Sequence, residues 1–467
     1  MSLYTKDIDT LSLSLRVTFY NIFINSRDMK EQLLHFVWQH RRFDQYELLT
    51  QCGEKISIIH PGFNNHHDGP DFLNAKIRIG STIWNGHVEI HVDGIDWYRH
   101  RHHYDPNYAN VILHVVYRNG QLTNNIGGHE IPTLELGGLI PLTVIDKYEQ
   151  LIVNSSVIAC SNHLQDIDEF IIRAWKERLI AERFEEKVID FEQLIDSTKG
   201  NWEAAFFQLL TRHFGVHSNM EGFQVLSESL DYRILLKHHE DLFQLEAILF
   251  GQAGMLDRNF NDIYPNELKK EYQYLSKKYK LKSIYGGNWK FKGLRPVSFP
   301  TIRIAQLAAL IHRHAPLFAT FQDSDSPETI LRNIIPSDYW MSHYTFDTES
   351  RAINKVVGKT FANLIIINVY IPMLFSYGKA MSIPDLSLYA IELLATIRPE
   401  VNRKTKLWKS LGVSCDDAGD SQALIQAINH YCIERKCLDC PIGCHILKGE
   451  DHFPPPEKLE EPTYIYN

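Results

Sequence analysis

The stretch that decides the fold reads HDGPDFLNAKIRIGSTIWNGHVEIHV and runs from His67 to Val92. Apolar and polar residues alternate through residues 72–79 and again through 83–92. A period of two is typical of β-strands, and the Gly80-Ser81 pair between the segments indicates a turn. The sequence therefore predicts a β-hairpin here.

Further elements are predicted on both sides of this hairpin. Residues 30–38 carry apolar side chains at helical spacing, and residues 111–117 are apolar enough for a strand buried on both faces. A weaker strand pair is expected between residues 120 and 136. Together they predict an α/β domain over residues 29–160, preceded by an N-terminal extension at 1–28.

The rest of the chain has helical spacing. The predicted helices carry apolar stripes and cover residues 170–194, 202–214, 235–250, 303–312, 356–375 and 386–395. We expect a helical domain over residues 161–449, followed by a Pro-rich, acidic tail over 450–467. A length of 467 residues agrees with two or three domains.

Composition excludes some function classes. The chain has 48 Lys and Arg against 57 Asp and Glu, for a net charge of −9, so nucleic-acid binding would need a local basic face. We expect no membrane span, because no run of eighteen apolar residues occurs. Asp7 and Asp9 lie where a signal peptide would be basic, so we expect a cytoplasmic protein.

Histidine is concentrated in the predicted α/β domain, where residues 60–114 hold nine of the 23. Antiparallel pairing would bring Asp71 opposite residues 89–91, so that Asp71 and Glu89 can share a hard cation such as Mg²⁺ or Mn²⁺. His91, on the same strand face as Glu89, would act as a base or orient a water. Because Asp71 is in phase with apolar residues, a bulge or a strand that starts after Asp71 is required. The alternative is an exposed sheet face with satisfied histidines.

The connector over residues 96–105 is rich in titratable rings. His102 and His103 are candidates for contacting phosphate or supplying a further metal ligand. Three histidines so close in sequence would need His66, His87 or His91 to complete a zinc site. The alternative is a polar connector.

One segment between residues 265 and 295 is locally basic. Its cations alternate with aromatic side chains, which suits a nucleic-acid groove, and the candidate contacts are Lys269, Lys270, Lys277, Lys278, Lys290, Lys292 and Arg295. A solvated helix face is the alternative.

Four of the seven cysteines lie within thirteen residues: Cys432, Cys437, Cys440 and Cys444. Such spacing, broken by Pro441 and Gly443, predicts one metal site, either Zn²⁺ or a [4Fe-4S] cluster. The remaining cysteines, Cys52, Cys160 and Cys415, are interpreted as isolated buried thiols.

Two resemblances follow from these residues. The element order, with Pro70-Asp71 before one strand and Glu89-Ile90-His91 on the next, resembles the PD-(D/E)XK nuclease superfamily. The resemblance implies a mixed-sheet, restriction-endonuclease-like domain in which Asp71 and Glu89 hold Mg²⁺ and Glu31 of the first helix adds a carboxylate. His91 stands where that superfamily has a Lys. The cysteine segment resembles the cluster that closes some iron–sulfur DNA glycosylases.

Nearly the whole chain from Glu31 onward is similar to an uncharacterised, Bacteroidetes-type bacterial family catalogued as a domain of unknown function (DUF2851). The stretches that carry this similarity include residues 32–38, 67–75, 86–92, 96–98, 105–116, 250–254, 294–296 and 437–443. That family implies no activity.

The expected fold class is therefore α/β plus all-α, with a helical domain that ends in a four-Cys metal segment. The expected function is a metal-dependent nuclease that acts on nucleic-acid phosphodiesters, with DNA favoured. The alternatives are a non-catalytic nucleic-acid-binding or assembly protein with a degenerate nuclease domain, and a His-rich zinc hydrolase.

Overall fold

The computed structural model describes residues 29–284 and 289–449. The expectations for residues 1–28, 450–467 and Tyr285 lie outside these described residues. The chain divides into two compact units. Of the described residues, 29–173 and 428–449 form unit 1, and 174–427 form unit 2.

Unit 1 is mixed α/β, with a curled mixed sheet. Its elements in chain order are α1 (Glu31–Gln39), β1 (Ile56–His60), β2 (Phe63–Asn64), β3 (Phe72–Ile79), β4 (Thr82–Asp93), α2 (Asp96–Arg99), β5 (Val111–Arg118), β6 (Thr123–Asn124), β7 (Glu130–Ile131), β8 (Thr133–Glu135), α3 (Leu142–Val153) and α19 (Pro441–Lys448). Helices α4 to α18 lie between α3 and α19 in sequence and are described with unit 2 below.

The main sheet has the strand order β1-β3-β4-β5-β8, with β2 paired to β3. β1, β3 and β4 are antiparallel neighbours, whereas β4, β5 and β8 run parallel. The predicted hairpin is confirmed, because β3 ends at Ile79 and β4 begins at Thr82. The expected burial of residues 111–117 is also confirmed, since all seven are buried between two parallel neighbours.

The entry into β3 is irregular, as the position of Asp71 requires. The strand begins at Phe72, after Asp71, and the β3–β4 register shifts between Phe72 and Ala75. Asn74 has a left-handed φ of 57° within this shift. The irregularity frees Asp71 from the strand alternation that would have pointed it into the apolar core.

Helix α1 packs on β4 through one apolar face. The buried residues of this face are Leu33, Leu34, Phe36, Val37 and Trp38. Glu31 and His35, one turn apart, are half-buried on another face of the same helix. The packing therefore fixes two titratable side chains at a constant distance from the sheet.

Unit 2 is mostly helical, as expected. Its elements are α4 (Glu169–Ser197, which begins in unit 1), α5 (Trp202–Phe214), α6 (Val216–Glu228), α7 (Tyr232–Lys237), α8 (Leu242–Gln252), α9 (Ile263–Tyr279), α10 (Pro300–His314), α11 (Leu317–Gln322), α12 (Pro327–Arg332), α13 (Tyr339–Ser342), β9 (His343–Thr345), β10 (Thr348–Glu349), α14 (Lys359–Ile365), α15 (Ile371–Ala380), α16 (Pro384–Thr396), α17 (Arg403–Ser410) and α18 (Ala418–Ala427).

One predicted helix is two helices in the structure. The stretch 235–250 breaks between α7 and α8, because the Asp241 side chain caps α8 by accepting the backbone N–H of Gln244. The stretch Lys359–Ala380 is long and apolar enough to cross a membrane, and 72% of its apolar window is buried within the protein. Such burial is typical of a core helix.

The domain limits differ from the expected ones at the C-terminus. The sequence interpretation assigned residues 428–449, with their cysteines, to the helical domain, whereas the contacts group them with the sheet of unit 1. α19 packs on α3, and the Arg42 guanidinium donates a hydrogen bond to the Lys448 carbonyl. Local sequence patterns do not predict that residues 428–449 pack with the sheet-containing unit.

Candidate metal centre

Asp71 and Glu89 lie side by side where β3 begins. The Asp71 N–H donates to Glu89 Oε2 at 3.1 Å, and the Ile90 N–H donates to Asp71 Oδ2 at 2.9 Å. The two carboxylates are thus locked together by backbone groups of opposite strands. The structure therefore brings Asp71 and Glu89 together, as antiparallel pairing in the predicted hairpin implies.

Imidazoles surround the other oxygen of Glu89. His91 Nε2 lies 3.5 Å and His102 Nε2 lies 3.3 Å from Glu89 Oε1. His100 adds Nδ1 at 3.2 Å from His91 Nε2. The ligand atoms of His91, His100 and His102 all lie within 4.8 Å of one another, which is close enough to hold a metal ion. We call Glu31, His35, Asp71, Glu89, His91, His100 and His102 the acid–imidazole cluster.

The donor spacing in this cluster suits one small cation. Zn–N and Zn–O bonds of about 2.0–2.1 Å in a tetrahedron place neighbouring donors about 3.3 Å apart. Three separations between donor atoms, at 3.2, 3.3 and 3.5 Å, are close to that edge. Three nitrogen donors and one oxygen donor form a softer ligand set than the all-oxygen set that Mg²⁺ prefers. Such a set fits Mn²⁺ or Zn²⁺ better.

His91 is oriented by a second histidine behind it. Its Nδ1 lies 2.9 Å from His114 Nε2, and both rings are buried. Burial first, and then the neighbouring imidazoles His114 and His102, lower the pKa of His91 to about 2. A neutral His91 that donates Nδ1–H to His114 presents the Nε2 lone pair to the cluster, as a metal-ligating histidine does.

The carboxylates of the cluster repel one another. Burial and then the charge of Asp71 raise the pKa of Glu89, and the same two causes raise the pKa of Glu31. His35 Nε2 lies 3.3 Å from Asp71 Oδ2. A bound divalent cation would relieve this repulsion.

Aromatic rings form one wall of the cluster. Tyr108 stacks on His102 with ring centroids 3.8 Å apart, and Trp97 contacts both His102 and His114. Trp97 is fully buried, which lowers the local dielectric and strengthens electrostatic interactions inside. His100 is exposed on the opposite side, so the cluster is open to solvent there.

The structure places the candidate histidines in different surroundings. His102, a candidate for phosphate contact or for a further metal ligand, is buried against Glu89. His103 packs between the rings of Tyr98 and Tyr104. His87 accepts the Asn74 N–H on the strand instead of joining the cluster.

Sequence reasoning missed His35 and His114. His35 follows Glu31 by four residues on a helix, and this spacing alone places both on one face. His114 faces Glu89 across the β4–β5 pair. Local sequence patterns do not predict the register of a parallel strand pair, so they did not indicate that His114 lies beside Glu89.

The predicted basic segment belongs to unit 2 and is only partly as expected. Tyr272 and Trp289 were expected to stack on bases, but Tyr272 is buried and donates to Gln252, and Trp289 packs on Phe223. Lys269 is half-buried and donates to the Arg258 carbonyl. The other candidate contacts are exposed: Lys270, Lys277, Lys278, Lys290, Lys292 and Arg295.

The predicted cysteine ligands are found at the C-terminal end of unit 1. Cys432, Cys437 and Cys440 are buried, whereas Cys444 is half-buried. Of the cysteines interpreted as isolated buried thiols, Cys52 is in fact exposed and Cys415 is half-buried.

One cavity of unit 1 lies away from these groups. It has a volume of about 800 Å³, and its lining includes Trp84, Asn85, Ile112, Leu122 and His129. Its lining contains no member of the acid–imidazole cluster. We place the chemistry at the cluster, because donor geometry and perturbed pKa values coincide there.

Comparison with protein families matches residues 31–403 to a family described as Protein of unknown function (DUF2851). Searches of curated proteins and of solved structures found no match.

Proposed function

We propose that this chain, which belongs to the DUF2851 family of proteins of unknown function, is a metal-dependent hydrolase of nucleic-acid phosphodiesters. The observation that carries the proposal is the acid–imidazole cluster, in which Asp71 and Glu89 meet the nitrogens of His91, His100 and His102. A divalent cation held there would polarise a phosphoryl oxygen and lower the pKa of a water.

The strand order supports a nuclease-like reading of the domain. A helix, four strands that pair antiparallel, a short helical connector and a fifth strand parallel to β4 follow one another from α1 to β5. This is the order that the resemblance to restriction-endonuclease-like domains implies. In this proposal Asp71 before β3, Glu89 on β4 and Glu31 on α1 are the carboxylates that act at the cation.

The side chains divide into ligands and proton carriers in this proposal. Burial lowers the pKa of His91 to about 2, so in this proposal His91 is a ligand rather than the base. His35 contacts Asp71 and is half-buried at the edge of the cluster. We assign His35 to carry the proton that the attacking water loses.

Nucleic acid remains the proposed partner, with DNA favoured. The exposed cations of unit 2, such as Lys277 and Lys278 on α9, can contact phosphates without reading sequence. The net charge of −9 restricts attraction to such local faces.

The first prediction concerns cleavage. Purified protein should cleave single- or double-stranded DNA in Mn²⁺, and Asp71→Asn and Glu89→Gln should each lower the rate at least about 100-fold, because each removes a charge that binds the cation. Gel assays with Mn²⁺, Mg²⁺ and Zn²⁺ measure this, with the exposed Glu130→Gln as the matched control.

Two results would oppose that prediction. Equal cleavage by all variants would place the chemistry elsewhere. Tight DNA binding without cleavage in any metal would favour the non-catalytic nucleic-acid-binding alternative.

A second candidate function is a zinc hydrolase of small molecules. It is favoured by the three imidazoles, whose ligand atoms lie within 4.8 Å of one another. Stoichiometric Zn²⁺ in purified protein, together with hydrolysis of nitrophenyl esters and an absence of DNA cleavage, would select this candidate.

A further inference from the structure

A cavity of unit 2 lies beside the basic segment. Its volume is about 480 Å³, within the range of about 300–1,000 Å³ that is typical of ligand pockets. Three of the residues that line it are aromatic: Trp289, Phe291 and Phe346. Phe346 is buried, whereas Phe291 is half-buried and so is partly open to solvent. We call this space the aromatic cavity, because it offers ring surfaces to a planar ligand.

Hydrogen bonds fix the segment that supplies two of these rings. The buried Asn219 side chain donates to the Lys290 carbonyl at 2.9 Å and accepts the Lys290 N–H at 2.8 Å. Trp289 donates its indole N–H to the Ala253 carbonyl at 2.9 Å and packs on Phe223. The segment is therefore held in place before a ligand binds, which lowers the entropy cost of binding.

Side-chain exposure alternates along this segment. Trp289 and Phe291 are half-buried and line the cavity, whereas Lys290 and Lys292 are exposed. The alternation places aromatic rings inside and positive charges directly beside them. A nucleotide of a single strand has the matching arrangement, because its uncharged base can stack on a ring while cations contact its phosphates.

The charges around the two cavities of the protein described so far differ. Arg258 lines the aromatic cavity and pairs with Asp347 at 3.0 Å, and Asp257 is an acid of the same lining. The two exposed lysines of the neighbouring segment outweigh that acid. The cavity of unit 1 is lined by Glu54 and Glu130, and its described lining includes no Lys or Arg. Of these two cavities, the aromatic cavity is therefore the one suited to a ligand that carries phosphates.

We propose that the aromatic cavity binds an unpaired nucleobase of a single-stranded nucleic acid, with Phe291 as the stacking ring and with Lys290 and Lys292 on the adjoining phosphates. Bases inside a duplex are stacked on one another, so their faces are not available to a cavity. The inference rests on the proposed function only for its partner, nucleic acid. It adds that the partner is bound as a single strand, and it does not depend on hydrolysis.

The test measures binding in EDTA, where no divalent cation supports hydrolysis. The probes are a fluorescent oligothymidylate of about twelve nucleotides, its duplex with oligoadenylate, and an abasic strand of the same length. Wild-type protein should bind the oligothymidylate at least about fivefold more tightly than either of the others, because only this strand offers unpaired bases. Fluorescence anisotropy gives the three affinities.

The variant Phe291→Leu keeps an apolar side chain but removes the ring. It should bind the oligothymidylate at least about fivefold more weakly and the duplex within about twofold of the wild-type affinity. Phe291→Tyr, which keeps a ring, should bind as the wild-type protein does. The matched control is Tyr274→Ala, which removes an exposed ring of the same basic segment outside the cavity lining. Circular dichroism checks that each variant is folded.

Equal wild-type affinities for the three probes, or equal losses in Phe291→Leu and Tyr274→Ala, would overturn the inference. Thymidine monophosphate that competes as strongly as the strand would overturn it in favour of a free-nucleotide site. Should Phe291→Leu not fold, photocrosslinking of wild-type protein to a strand with 5-iodouracil locates the base, and a crosslink outside the cavity lining would contradict the inference.

Failure of the proposed function has a different signature. A protein that prefers the oligothymidylate in EDTA but cleaves no DNA in Mn²⁺ would contradict the hydrolytic proposal alone. A protein that binds none of the three probes would contradict both, because nucleic acid would not be its partner.

Discussion

Glu89 illustrates at residue scale why the cluster calls for a cation. Only 5% of Glu89 is exposed, and its near neighbours are Asp71 and uncharged imidazoles. A buried carboxylate is costly unless it is paired or binds a metal. Because these imidazoles are uncharged, they supply no full positive charge to pair with Glu89. Their ring nitrogens have lone pairs that can coordinate a metal ion. A divalent cation bound beside Glu89 would supply the positive charge that these neighbours do not.

The neighbouring residues His102 and His103 are predicted to differ in their effect on metal binding. His102→Ala should weaken Mn²⁺ or Zn²⁺ binding at least about tenfold, because it removes the nitrogen 3.3 Å from Glu89. His103→Ala, one residue away and packed between two tyrosine rings, should leave the affinity within about twofold. Calorimetric titration measures both. Equal losses in the two variants would mean that His102 acts only through folding.

A buried acid in unit 2 gives a pH-dependent prediction. Glu246 is fully buried and accepts hydrogen bonds from Tyr264 and Trp340. Burial raises its pKa from 4.5 to about 7. The folded protein therefore binds this proton more tightly than the unfolded chain does, so the associated stability is complete below about pH 4.5 and is lost as the pH rises to about 7.

Glu246→Gln should remove this pH dependence. The wild-type free energy of unfolding should fall by roughly 3 kcal/mol more than that of the variant between about pH 5 and pH 8. Urea denaturation of unit 2 at both pH values measures the difference. Parallel pH profiles of the two proteins would contradict the raised pKa.

At the scale of elements, the β4–β5 pair carries the cluster. Glu89 and His91 lie on β4, and His114 lies opposite Glu89 on β5. The strands approach closely at Gly86, where a Cβ atom would lie 2.4 Å from the Ile112 side chain and 2.6 Å from the Asn110 carbonyl oxygen. The register of the parallel pair thus depends on a residue without a side chain.

Gly86→Ala should destabilise unit 1 by about 1–3 kcal/mol, because the backbone at Asn110 cannot move without breaking the strand pair. Gly138→Ala is the matched control, since no atom lies within 4 Å of its added methyl group. Thermal unfolding of both variants is the measurement. A Gly86→Ala melting temperature equal to that of Gly138→Ala would show that the strands adjust freely.

Local patterns predicted the elements better than the contacts between distant elements. Alternation gave the β3–β4 hairpin, and the phase of Asp71 gave the irregular strand entry, since both depend on neighbours in sequence. The convergence of Glu31, Asp71 and Glu89 was anticipated. The position of His114 was not, because a parallel register depends on the packing of remote segments.

On the scale of the whole molecule, unit 1 is discontinuous in sequence. Its sheet comes from the first third of the chain, and its last helix, α19, comes from the end. Helix α3 packs on α19, and Arg435 bonds to the loop after α3. Unit 1 therefore completes its packing only when the C-terminal segment has been synthesised.

A chain that ends at Ala427 should lose stability in unit 1 alone. Removal of residues 428–449 uncovers the apolar face of α3, whereas unit 2 ends at residue 427 and keeps its own contacts. Scanning calorimetry should show one transition shifted down by several degrees, relative to a chain that ends at Gly449. Identical transitions in the two chains would mean that the segment adds nothing to unit 1.

The central claim is that Glu89 and the surrounding imidazoles bind a divalent cation. Anomalous diffraction from crystals grown with Mn²⁺ tests it most directly. The account predicts a peak within about 2.3 Å of Glu89 Oε1 and of the Nε2 atoms of His91 and His102. A map without a peak among these atoms, in crystals saturated with the ion, would contradict it.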